Sequence, residues 1–224
     1  MTRPLRHGQP WGQPATGPPD LEVAGDDADL AAAAANHPDA LVRFRPSAAS
    51  DMARALGLSP ERVGTTEVAL DLLAVQGLHP GRAVTAVNAV VVGRPPDRLR
   101  GTARSAAVTV IVDGRRWYEG PATTVVVASG QFLRGADLVP RGHPGDGWAE
   151  VQVYALTPRE RRTMRHRLVT GTHVPHPSIH SARARTVEIE AAGKPLPVEV
   201  DGHERARTRR LGVTLTPGAV RVLV

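Results

Sequence analysis

From Leu21 onward, short apolar runs alternate with turn signals. Leu21 to Gly25 alternates apolar and polar positions, as a half-buried strand does. An acidic turn of Asp26, Asp27 and Asp29 follows, then the strong helix former Leu30 to Ala35. His37-Pro38 ends that helix, because the residue before proline is pushed out of the α region. Ala40 to Phe44 reads as a second strand. Ser47 to Leu56 reads as a helix with Ser50 or Asp51 at its cap and Gly57 at its end. Residues 21–58 therefore predict strand, turn, helix, strand, turn, helix, half of an α/β unit. Ser59-Pro60-Glu61-Arg62 has the form of a helix start, and Glu67 to Val75 continues as an apolar helical segment stopping near Gly77.

After about residue 82 the pattern changes to β-branched runs: Ala83–Val92, Ala107–Val112, Thr123–Ala128, Val151–Leu156, Thr186–Ala191, Leu196–Val200, Val213–Thr216 and Val220–Val224. Turn dipeptides such as Asp113-Gly114 and Asp201-Gly202 punctuate them, which predicts an antiparallel sandwich or barrel. One helix interrupts. Thr157-Pro158-Arg159-Glu160 is a capping box with proline at the first helical position, and the helix runs to about Val169, before Gly171. Met164 and Leu168, four residues apart, face inward, and Arg161, Arg162 and Arg165 cover the outside. Residues 1–20 hold five prolines and three glycines without a period and are expected to be a disordered tail. The expected organisation is this tail, a partial α/β nucleotide-binding-like domain over 21–82, and a β-sandwich domain over 83–224. The fold class is α+β, a Rossmann-like half followed by an antiparallel sandwich, and the two pieces would meet in a cleft, a common place for ligands.

Composition narrows the chemistry. The chain has 224 residues, 41% hydrophobic and 22% charged, enough for a real core. It has no cysteine, which removes disulfides, thiolate catalysis and cysteine-based metal sites. No apolar run approaches the roughly 18 to 20 residues of a membrane span, and the first residues carry no apolar signal core. A cytoplasmic location, with peripheral contact at the inner membrane face, is expected. Lys plus Arg is 28 against 22 acids, a net charge of +6, and Lys194 is the one lysine. Arginine attracts phosphates on lipids, nucleotides or nucleic acid, although abundant Arg, Ala, Gly and Pro together also accord with a GC-rich genome. Aromatics are only 3%, which disfavours stacking on single-stranded nucleic acid. Arg159, Arg161, Arg162, Arg165 and Arg167 form a basic helical stretch, either a solvated face or a surface for anionic membrane. His173, His176 and His180 have metal-like spacing, but Pro175 and Pro177 forbid a regular helix through them, so a structural loop is expected.

Five stretches resemble the diacylglycerol kinase and sphingosine kinase superfamily of bacterial lipid kinases. Val23 to Leu30 lies where that family has its glycine-rich GGDGTL nucleotide loop. Ser47 to Gly57, with Asp51-Met52-Ala53-Arg54-Ala55-Leu56-Gly57, resembles GTGNDFARALG. In the β-rich part, Asp146-Gly147 resembles a DG element, Val198 to Gly202 resembles V-x-V-D-G-E, and Pro217 to Leu223 resembles the terminal strand. The resemblance implies a lipid substrate, ATP and Mg²⁺, with nucleotide contacts from Gly25, Asp26, Asp27, Ala28, Asp29, Ser50 and Asp51. It implies catalytic roles for Asp201, His203 and Glu204, and a metal at Asp146.

The departures point the other way. The family's first βα unit is not recognisable before Leu21, so a second copy of the chain in a homo-oligomer could supply it. Of the loop glycines only Gly25 remains; Asp26, Ala28 and Asp29 replace glycine, glycine and threonine. A phosphate cradle needs bare backbone N–H groups, and a carboxylate about 4 Å from phosphate repels it by roughly 1 to 4 kcal/mol. The family's general base, a glutamate, is replaced by His203, with Glu204 one residue later. The expectation is a family member that is catalytically weak or inactive and binds a lipid or anionic ligand in its cleft. An active ATP-dependent lipid kinase is the alternative, and nucleic-acid binding through arginine charge a minor one.

Overall fold

The structure, a computed structural model, describes residues 11–58 and 64–224. The helix start expected at Ser59 to Arg62 and the first ten residues of the expected tail lie outside the described residues. In chain order the elements are β1 Gly12–Pro14, β2 Leu21–Gly25, α1 Asp27–Asn36, β3 Leu41–Pro46, α2 Asp51–Leu56, β4 Thr66–His79, β5 Arg82–Ala86, β6 Ala89–Gly93, a 3-10 turn at Pro96–Arg98, β7 Ala106–Val112, β8 Arg115–Ala122, β9 Thr124–Ala128, β10 Phe132–Leu133, β11 Ala136–Asp137, β12 Ala149–Tyr154, α3 Pro158–Leu168, β13 Ile179–Ala184, β14 Thr186–Ala191, β15 Leu196–Val200, β16 His203–Thr208 and β17 Arg210–Leu223.

Two sheets carry the fold. The first has nine strands: β1-β4-β17-β14-β7-β8 in order, with β3 also on β17, β2 on β3 and β5 on β4. The second has six, in the order β13-β12-β9-β6-β15-β16. Valines and leucines from the facing sides, among them Leu73, Val75, Val90, Val127, Val151 and Val213, form the sandwich core. On the other side of the second sheet, Tyr154, Val126 and the nearby Leu99 pack against Met164 and Leu168 of α3. A third core, with Leu30, Phe44, Met52, Leu70 and Val222, lies under α1 and α2. The strand–helix–strand–helix order over residues 21–58 and the antiparallel sandwich agree with expectation.

The helix expected over Glu67 to Val75 is instead the long strand β4. Leucine and alanine favour a helix by only tenths of a kcal/mol each. Pairing with β17 from Glu67 opposite Leu223 to Gln76 opposite Gly212, with β1 and β5 on the other edge, overrides that preference. Gly77, at φ 92°, lies where the register of β4 on β5 shifts between Val75 and His79, and a Cβ there would sit 2.5 Å from the Arg210 carbonyl oxygen. Part of the expected tail is also ordered. Gly12 pairs with Val68 in β1, and Trp11 donates from Nε1 to the Ala69 carbonyl at 3.2 Å. The expected single strand Ala83 to Val92 is two, β5 in the first sheet and β6 in the second, joined by a corner at Val87-Asn88. The two expected terminal strands are one, β17, kinked between Thr216 and Val220. The expected junction at residues 82 and 83 thus falls within a continuous sheet, because β17 pairs in parallel with β3 at one end and antiparallel with β14 at the other.

Candidate functional site

The site lies where the α1 and α2 N-termini, the Val87-Asn88 corner, the β10–β11 turn and the β15–β16 turn converge. At the end of β2 the chain turns at Gly25, whose φ of 141° favours glycine and whose added Cβ would lie 1.9 Å from Asp29 Oδ2. The next residues form a capping box. Asp26 Oδ1 accepts from the amides of Ala28 at 2.9 Å and Asp29 at 3.3 Å, and Asp29 Oδ2 accepts from the Asp26 amide at 3.0 Å. The chain's own carboxylates therefore occupy the amides that a phosphate would use. Asp26 Oδ2 also lies 2.8 Å from His203 Nε2 at the start of β16. Partial burial raises the Asp26 pKa, but the hydrogen bonds from His203 and the two amides outweigh it and hold the group below its ordinary value.

Asp27 is buried and faces the second helix. It accepts from the Ser50 hydroxyl at 2.6 Å, from the Met52 amide at 3.1 Å and from Asn88 Nδ2 at 3.0 Å. Burial pushes its carboxyl up to about 6 against those donors. Ser50 caps α2 in turn, accepting from the Ala53 amide at 3.0 Å. Asp51 accepts from the Gly135 amide at 2.7 Å and from the Arg134 amide, so it holds the β10–β11 turn. Asp201 is buried at the β15–β16 turn. It accepts from three consecutive amides, Val87 at 2.9 Å, Asn88 at 3.0 Å and Ala89 at 2.9 Å, and so fixes the corner where the chain changes sheets. Burial, and then the neighbouring Asp27 charge, push its pKa to about 7.

The arrangement assembles the expected residues but occupies them. Gly25 through Asp29, Ser50, Asp51, Asp201 and His203 all lie in this one network. Glu204 does not join it: it is exposed, pairs opposite Glu199, and strand alternation sends it away from His203. Sequence reasoning missed Asn88, which donates to both Asp27 and the Phe132 carbonyl at 3.0 Å. It also missed Arg134, whose Nε and Nη2 grip Asp97 at 2.8 and 2.7 Å while Nη1 reaches Glu199 at 2.8 Å. Gly135 is the turn signal beside it in the sequence, and Arg134 takes a φ of 49° in that turn.

Asp146 lies apart from this network. Its Oδ1 accepts from the Trp148 amide at 3.0 Å and its Oδ2 is paired with Arg183, which also holds Glu150 at 2.9 Å. Beside it, buried Asp71 accepts from the amides of Gly147 at 2.8 Å and Gly218 at 2.9 Å, tying the loop to the kink of β17. A guanidinium already neutralises Asp146, and among the described residues no group of three His, Asp or Glu side chains could hold a metal ion. These residues do not fit a hard divalent cation, which needs several oxygen ligands. The α1 loop likewise does not fit a triphosphate, because the amides of Asp26, Ala28 and Asp29 are taken by its own carboxylates. The three histidines are separate: His173 is buried with Nε2 3.1 Å from the Leu138 carbonyl oxygen, His176 bridges within its own loop, and His180 leans on Tyr118 at 5.0 Å.

Residues 100–224, more than half of the chain, match the family described as the YegS C-terminal NAD kinase beta sandwich-like domain. A provisionally named diacylglycerol kinase from Bacillus anthracis str. Sterne aligns with a TM-score of 0.75 at 17% identity, over 91% of this chain and 76% of its own. Another structure from that organism, a diacylglycerol kinase, aligns at 0.68 with 18% identity over 91% and 76%. An NAD kinase from Archaeoglobus fulgidus, solved with ATP, aligns at 0.52 with 13% identity over 92% and 78%. Among curated proteins none matches by sequence. At such identities the structures speak for the fold, and the sequence match speaks for the family: this chain has the diacylglycerol kinase and NAD kinase fold and belongs to the YegS C-terminal NAD kinase beta sandwich-like family.

Proposed function

We propose that this chain is a kinase-family protein that does not transfer phosphate, and that it binds a lipid or another anionic ligand in the cleft between its α/β piece and its sandwich. One observation carries the reading. The capping box of Asp26 and Asp29 uses the α1 amides internally, and Asp27 uses the α2 amide of Met52. An incoming triphosphate would meet carboxylates where it needs N–H donors, with repulsion of roughly 1 to 4 kcal/mol per close pair. Neither ATP nor Mg²⁺ is then part of its working state, and the cytoplasm, with contact at the inner membrane face, is the setting that suits it.

A second reading, an ATP-dependent lipid kinase, draws on the histidine–carboxylate pair of His203 and Asp26, 2.8 Å apart, an arrangement able to accept a proton. Calorimetry with MgATP separates the two. The first reading expects no saturable heat at millimolar nucleotide. Incubation with labelled ATP, Mg²⁺ and mixed lipids is expected to give no labelled lipid. Labelled product that disappears in the Asp51→Ala variant would overturn the first reading and establish the second.

A further inference from the structure

Away from the cleft, the loop after the 3-10 turn and the helix α3 enclose a groove of about 430 Å³, in which Arg100, Arg159, Arg162 and Arg165 stand over Leu99 and Pro158. A fifth guanidinium builds it. Arg161, expected on the outside of the helix, is buried at 4% exposure. It donates from Nε to the Leu156 carbonyl at 3.1 Å, from Nη1 to the carbonyls of Gly101 at 2.9 Å and Ala103, and from Nη2 to Ser105 Oγ at 3.3 Å. These bonds pin the loop bearing Arg100 against the helix bearing the other three. All of its partners are neutral.

None of these five arginines has a carboxylate in ion-pair reach among the described residues. The acid nearest in sequence, Glu160, is turned to Thr157 and Ser178. Five positive charges, one of them buried, thus gather without a counter-ion, and a buried or crowded charge without a partner is costly. Such a cluster is stabilised by phosphate, which arginine grips with its planar fork.

The helix also says which phosphate. Arg159, Arg162, Arg165, His166 and Val169 recur three or four residues apart and so share one ridge of α3. Val169, at its end, is the one large hydrophobic side chain prominently exposed among the described residues, at 67%. The apolar face of α3 is spent on the core, so a row of cations is what it offers outside, and such a row is attracted to an anionic lipid surface, where Val169 at its end can dip below the headgroups. We propose that α3 and the Arg100 loop dock on a bilayer, with the groove taking the phosphate headgroup of an anionic phospholipid. Docking here is independent of the cleft and of whether nucleotide binds there.

Co-sedimentation of the whole chain with vesicles tests this. Phosphatidylcholine alone is compared with an equimolar mixture of phosphatidylcholine and phosphatidylglycerol, at low and high salt. The expected result is salt-sensitive binding to the mixed vesicles only. Each arginine near such a surface contributes about fivefold, so Arg159→Gln/Arg162→Gln/Arg165→Gln is expected to weaken partitioning about a hundredfold. A control that removes three exposed arginines from the second sheet and its following turn, Arg205→Gln/Arg207→Gln/Arg209→Gln, is expected to change it only a few-fold. Val169→Asp is expected to weaken it as well. Absence of binding to mixed vesicles, or equal losses in both triple variants, overturns the groove. Groove-dependent binding of inorganic phosphate in calorimetry without vesicle binding, or an unchanged Val169→Asp, overturns the bilayer as its occupant.

Discussion

Aspartate does different work at neighbouring positions, and the differences follow from what each carboxylate faces. Asp201 faces three backbone amides, so its role is to end one strand and start another. An asparagine there keeps one oxygen and turns an NH₂ group toward N–H donors. Asp201→Asn is expected to cost about 2 to 4 kcal/mol of stability, read as a drop in the urea midpoint, because buried amides lose their acceptors. A neutral or stabilising outcome would mean that the cost of burying the charge outweighs its hydrogen bonds. Asp26 and Asp29 face the amides of their own helix, where a family nucleotide loop has bare backbone. Asp26→Gly/Asp29→Thr removes both carboxylates and costs about 1 kcal/mol of capping. It is expected to bind inorganic tripolyphosphate in calorimetry where the parent chain does not. Equal, absent binding in both would mean that more than these two side chains excludes phosphate.

Elements were legible in proportion to how locally their determinants lie. α3 was readable to within a residue, because its capping box, proline and Met164–Leu168 spacing sit within three turns. α2 was readable through Ser50 and Gly57, although only its last six residues are helical. β4 was not, since its partner β17 closes the chain and no local signal in Glu67 to Val75 announces that pairing. The gathering of Asp27, Ser50 and Asp51 was legible as a motif, but Asn88 and Arg134 enter through tertiary contacts alone. Arg161 failed for a related reason: helical spacing puts it on the inner face with Met164 and Leu168, three and seven residues on, yet its charge argued for solvent. Its buried role yields a prediction for the element. Arg161→Ala leaves the carbonyls of Leu156, Gly101 and Ala103 without donors and is expected to cost about 2 to 4 kcal/mol. Limited proteolysis is expected to cut faster between residues 99 and 105. Arg161→Lys keeps the charge but loses the fork and is expected to fall between. Unchanged cleavage in Arg161→Ala would show that the loop does not depend on this side chain.

For the whole molecule, burying carboxyls at the junctions between layers sets an unusual dependence of stability on pH. Desolvation raises Asp201 to about 7 and Asp27 and Asp71 to about 6, from 3.8. Between about pH 4 and pH 7 the folded chain holds protons at these positions that the unfolded chain has released. Stability from these groups is therefore full below the unfolded value and declines as pH rises through the folded ones, the reverse of the usual carboxylate. Asp26, Glu67, Asp113 and Glu160 behave in the usual way, with lowered values, so their contribution is lost only in stronger acid. Buried His173 opposes the trend: desolvation lowers its pKa, so as pH falls below 6.5 the unfolded chain gains a proton that the folded one refuses. Counting Glu150, which burial also raises, four raised carboxyls outnumber one lowered histidine, and the Asp27 charge raises Asp201 across the junction. With surface repulsion from the net charge of +6 screened by about 0.5 M salt, the urea midpoint is expected to be higher at pH 5 than at pH 7.5. A midpoint that rises between those two values would mean that the amides around Asp201 and Asp27 hold both carboxylates ionised throughout, and that hydrogen bonding, not burial, governs the junction.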